Sequence, residues 1–129
     1  MFGEKEEAVD KFDEAHEELK ARGLVEMTFA SSINNVPVRI TDERWEHICR
    51  KHPEMEGENG KVLETITNPD IIQRGDRNEL MALRFYEQTP LSPKYLVVVY
   101  REVSSTDGYI ITAYFTNRIR RREVIWKRG

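Results

Sequence analysis

The residues in this chain best suited to proton transfer are two histidines, His47 and His52, in the segment TDERWEHICRKHPE. Imidazole titrates near neutral pH, so either ring could serve as general base or acid. Their separation of five does not bring two ligands together as three or four would, so a zinc pair on one helix is not expected. His52, at the end of an apolar helical face, also fits a half-buried capping histidine. Cys49 is the only cysteine and reads as packing rather than as a nucleophile. Further along, the run 109–116 is rich in β-branched and aromatic residues. Strand alternation puts Tyr109, Ile111, Ala113 and Phe115 on one face, taken as core, and Ile110, Thr112, Tyr114 and Thr116 on the other. In 79–88 the same alternation opposes Met81, Leu83 and Phe85 to Leu80, Ala82, Arg84 and Tyr86. Arg84 and Tyr86 are therefore expected beside Thr112 and Tyr114 on an open, hydroxyl-rich surface, although ordinary cross-strand pairing gives the same pattern. Arg118, Arg120, Arg121, Arg122, Lys127 and Arg128 face only Glu123, a density of positive charge that can hold phosphates or pair with acids of the same chain. No Gly-rich phosphate loop or acidic metal cluster of known spacing occurs, so nucleotide hydrolysis has no support.

The elements that must position these groups follow from periodicity and punctuation. Residues 4–22 predict a helix with a narrow apolar stripe (Val9, Phe12, Ala15, Leu19) that also carries His16 and is stopped by Gly23. Residues 1–30 are thus expected to form an acidic helical appendage, and 31–129 the main domain. Thr41 is a good N-cap, with Asp42 and Glu43 in the first turn and Pro53 as terminator, which predicts a helix over 42–52. Trp45, Ile48, Cys49 and His52 share its inner face, and His47 points more toward solvent. A second helix is expected over 60–67. Strands follow at 71–74, 79–88, 94–103 and 109–116, with a further candidate at 123–127; short turns between them imply antiparallel neighbours. The expected fold is α+β, with N-terminal helices packed on a curved four- to five-stranded antiparallel sheet.

Composition sets the outer limits. The 129 residues are 39% hydrophobic and 33% charged, enough for one core beneath a charged surface. The longest apolar run falls far short of the roughly 20 residues of a membrane span. A cytoplasmic protein without membrane contact is expected, and a single cysteine fits a reducing compartment. The net charge of −3 is divided unevenly: the first 30 residues are strongly acidic and the remainder mildly basic.

The strings ITDERWEHICRKHPE, ITNPDII, KYLVVVYRE and GYIITAYFT, over about residues 38–117, together resemble the phage-associated branch of the barnase-EndoU-colicin-RelE-like nuclease superfamily. The resemblance implies the same α+β sheet architecture and a metal-independent endoribonuclease, often toxin-like and needing no cofactor, that cuts by attack of a 2′-hydroxyl on the neighbouring phosphate. It implicates His52, with His47 as substitute, as base or acid, Arg84 for the phosphate charge, with Arg101 or Lys94 as substitutes, and Thr112 and Tyr114 as donors. Tyr86 is expected to stack on an unpaired base, and Thr116, Arg118 and Arg120 to contact RNA. Alternatively the same face binds RNA or a protein without catalysis, or the chain is a globular protein that dimerises through its N-terminal helix. The low isoelectric point, about 5.7, departs from what a nucleic-acid enzyme usually shows.

Overall fold

The computed structural model describes residues 27–129; the helix expected over 4–22, with its dimer contact, lies outside the described residues. The elements from residue 42 onward fall close to where local pattern puts them. Thr41 caps α1 (Asp42–Lys51), its hydroxyl accepting from the Arg44 N–H at 3.1 Å. His52 closes that helix by donating its backbone N–H to the Ile48 carbonyl at 2.8 Å. A 3-10 turn (Pro53–Met55) follows, then α2 (Asn59–Thr67). The strands are β1 (Met27–Ser31), β2 (Pro37–Thr41), β3 (Ile71–Arg74), β4 (Leu80–Tyr86), β5 (Lys94–Ser104), β6 (Asp107–Thr116) and β7 (Val124–Lys127).

The sheet itself differs from expectation. Seven strands, not four or five, lie in the order β1-β2-β6-β5-β4-β3-β7, and β2 runs parallel to β6. This mixed sheet overturns the four- to five-stranded antiparallel, nuclease-superfamily architecture expected from the sequence. The antiparallel meander β3 to β6 forms as short connections dictate. What the local pattern does not contain is the hairpin β1–β2 docking on the free edge of β6, a contact made across about 70 residues. β1 also straddles the boundary expected at residue 30, since it pairs with β2 along its whole length.

The parallel junction is short, only Val38 opposite Gly108 and Arg39 opposite Tyr109. Gly108 suits this crowded place, because a Cβ there would stand 3.3 Å from Val36 and 3.4 Å from Val38, and only 2.7 Å from the Arg101 carbonyl oxygen of β5. Arg39 closes the junction, pairing with Asp107 and donating to the Gly108 carbonyl.

Both helices cover one face of the sheet. Ile48, Met55, Val62 and Ile66 meet Val38, Ile72, Ala82, Leu96, Val98, Tyr100, Ile110, Ala113 and Phe115 in the main core. The opposite face carries a smaller apolar layer, Met81, Leu83, Val97 and Val99, flanked by Ile71, Ile111 and Tyr114. No helix among the described residues is long and apolar enough to cross a membrane.

Candidate functional site

The site begins where β2 leaves β6. Beyond Tyr109 the edge of β6 is taken up by α1 and the 3-10 turn. At that point β6 holds one residue too many: Val99 faces Thr112 but Tyr100 faces Ile110, so Ile111 has no partner in β5. Such a bulge re-aims the side chains beyond it. Ile110 therefore joins Ala113 and Phe115 in the helix-side core, while Ile111 turns to the other face with Tyr114. The expected positions of Ile110 and Ile111 are exchanged; Thr112, Tyr114 and Thr116 keep theirs. Arg44 of α1 reaches the bulge, its Nη1 donating to the Ile111 carbonyl at 3.4 Å.

A second wall comes from residues 117–123. To join β6 to β7 the chain must cross β5, β4 and β3, and it does so over the face without helices. Gln73, almost fully buried, donates Nε2 to the Arg120 carbonyl at 2.9 Å, and the Arg74 N–H donates to the Glu123 carbonyl at 3.0 Å. Arg122 anchors the strap to Asp76 at 2.6 Å, and its guanidinium holds the Asp76 carboxyl below the ordinary carboxylate range. Alternation along this segment aims Arg118, Arg120 and Arg122 inward, whereas Ile119 and Arg121 do not line the hollow.

The third wall is α1. Arg44, His47 and Lys51, at i, i+3 and i+7, share a stripe beside its buried face, and His52 stands at its end. Between the walls is a hollow of about 540 Å3, floored by Leu83, Val97, Thr112, Tyr114 and Thr116. Among the described residues its lining holds five Arg and Lys side chains, two histidines and no carboxylate. Among the described residues Arg44, Lys51, Arg118 and Arg120 form no ion pair with a carboxylate. The His52 ring packs on Tyr114, centroids 5.6 Å apart, with Glu54 3.9 Å from Nδ1. His52 thus joins the two readings of its sequence position, its backbone capping the helix and its ring facing the hollow.

The structure brings His47, His52, Thr112, Tyr114, Thr116, Arg118 and Arg120 to one place. It does not bring Arg84 or Tyr86 there. The alternation within β4 is as expected, but register aligns Arg84 with Leu96 and Leu96 with Phe115, which puts both residues on the helix side. Arg84 donates to the Asn68 carbonyl at 2.7 Å and lies near Glu64 and Asp70. Tyr86 donates to Glu64 at 2.6 Å, and burial, with Glu64, pushes its phenol up to about 12. Lys94, opposite Tyr86, belongs to that side too. Arg101 is turned to the Arg77 carbonyl at 2.9 Å, outside the hollow. Arg44 and Lys51 are not singled out by the sequence reading, although their i, i+7 stripe with His47 was present to be read, and Arg122 enters it only as one member of the C-terminal basic cluster. Cys49 packs against the main core, and burial, with Glu56 beside it, pushes its thiol up, as suits an inert packing residue. Among the described residues no three His, Cys, Asp or Glu side chains are placed to hold a metal ion.

Comparison of the chain with protein-family models, curated proteins and solved structures yields no match.

Proposed function

We propose that the hollow binds the phosphodiester backbone of RNA and cuts it by attack of a 2′-hydroxyl on the adjacent phosphate. The observation that carries this reading is the lining: two imidazoles and a phenol among five cations, with no carboxylate among the described residues. Four cations that have no carboxylate partner among the described residues, gathered in one concave site, favour a polyanion, and the chemistry of the donor set matches what transesterification requires. A base must take the 2′-hydroxyl proton, an acid must protonate the departing 5′-oxygen, and fixed cations must stabilise the charge that builds on phosphorus.

His52 is assigned as the base. A proton on Nδ1, facing Glu54, leaves the Nε2 lone pair for the 2′-hydroxyl. His47, five residues earlier on the same wall, is the acid. Arg118 and Arg120 face the phosphate oxygens, and Thr112 and Tyr114 are hydrogen-bond donors from the floor. Proton moves from 2′-hydroxyl to His52 and from His47 to the 5′-oxygen balance the step, giving a 2′,3′-cyclic phosphate and a 5′-hydroxyl.

The test is incubation of the protein with a single-stranded oligoribonucleotide in excess EDTA. Cleavage to cyclic-phosphate ends is expected. His52→Ala should slow it by about 10²- to 10⁴-fold, and Arg118→Ala with Arg120→Ala should weaken both binding and rate, whereas Arg84→Ala, on the opposite face, should leave the rate near wild type. Binding without cleavage would reduce the hollow to an RNA-docking surface. Failure of wild type to bind RNA would remove the reading altogether.

A further inference from the structure

The apolar layer on the hollow's face is covered at Leu83, 2% exposed, and at Met81, 8% exposed, but two residues beyond Leu83 on the same face Phe85 stands 43% exposed. Its register partner Tyr95 meets it edge to face, ring centroids 5.2 Å apart. Tyr95 is in turn opposite Thr116, which lines the hollow. Phe85, Tyr95 and Thr116 are thus one rung of the sheet, and Leu83, Val97 and Tyr114 the next, about 6.7 Å away along the strands. An exposed aromatic alone is unremarkable; here two in contact continue the floor of a cationic hollow.

We infer that the Phe85–Tyr95 pair is a stacking platform for an unpaired nucleobase of the RNA strand whose phosphate occupies the hollow. This rests on the reading of the hollow as a phosphodiester site and adds what that reading lacks, a surface for the base. Charge complementarity names the occupant: only a ligand with an anion and a flat apolar ring one rung apart satisfies both parts. Because a base within a duplex offers no free face, the platform selects single strands. It replaces Tyr86 in that role, whose ring lies on the helix side with its hydroxyl held by Glu64.

The test measures binding of a labelled single-stranded oligoadenylate and of inorganic polyphosphate of matched charge. Phe85→Ala is expected to weaken oligoadenylate binding roughly five- to 150-fold, the range for one lost stack, and to leave polyphosphate binding unchanged. Phe85→Trp should preserve oligoadenylate binding, and Phe85→Leu, which keeps apolar cover without an aromatic face, should not. Wild-type affinity of Phe85→Ala or Phe85→Leu for oligoadenylate would overturn the platform, as would an equal loss for polyphosphate. If wild type binds polyphosphate but RNA no more tightly, the platform fails and the anion site stands; if it binds neither, both fail.

Discussion

Two tyrosines, Tyr86 half-buried and Tyr100 fully buried, show how differently one hydroxyl can matter. Tyr86 is held protonated by burial and by its bond to Glu64, its phenol pushed up to about 12. A folded-state value above the unfolded one, about 10, means that this contribution to stability is complete below about pH 10 and is lost as pH rises through about 12. Urea midpoints followed from pH 9 upward should therefore fall, and Tyr86→Phe should fall less steeply. Tyr100 is fully buried, and its hydroxyl has no hydrogen-bond partner among the described residues. Since an unsatisfied buried group carries its full desolvation cost, Tyr100→Phe is expected to be neutral or stabilising by up to about 1 kcal/mol, read from the denaturation midpoint. Neither property is visible in the sequence, where both tyrosines are simply strand formers. The places of His52 and Thr112 at the hollow were legible because their signals, a helix end and a strand parity, are local. Arg84 was misplaced because parity within β4 does not say which parity of β6 it joins.

At the level of elements, local pattern was sufficient where a cap or a turn decides the boundary, as at Thr41, Pro53 and the turn before β6. It was insufficient where pairing depends on distant chain. The parallel β2–β6 junction has no local signature except, in retrospect, Gly108, whose missing side chain lets the two strands and Val36 close together. Gly108→Ala should push against the Arg101 carbonyl and destabilise the protein by about 1–3 kcal/mol. Because that junction ends where α1 takes over the edge of β6, the same substitution should also disturb the hollow. Loss of stability without loss of RNA binding would show that α1 is positioned by the core alone.

For the whole molecule, the low isoelectric point counted against a nucleic-acid partner only as long as charge was averaged. The fold sorts it: a chain of net charge −3 collects five Arg and Lys side chains in a lining without acids among the described residues. If Arg44, Lys51, Arg118 and Arg120 each release one counterion from a single strand, the plot of log affinity against log salt should have a slope of about −3, at roughly 0.7 per contact. Arg118→Ala and Arg120→Ala should each flatten it by about 0.7, and Phe85→Ala should not change it. A slope near zero would mean that the cations do not meet phosphate.

The unpaired Ile111 has a bearing on how this chain tolerates loss of sequence. Removing one residue from the middle of a strand ordinarily inverts every side chain beyond it. Here Ile110 and Thr112 already face adjacent residues of β5, Tyr100 and Val99, so excision of Ile111 joins two positions that are in register. The shortened strand would regain strict alternation, with Ile110, Ala113 and Phe115 still inward and Thr112, Tyr114 and Thr116 still outward. A one-residue deletion at 111 should therefore fold, at a modest cost in melting temperature for the lost isoleucine and its carbonyl contact with Arg44, whereas deletion of Ala113 should not fold at all.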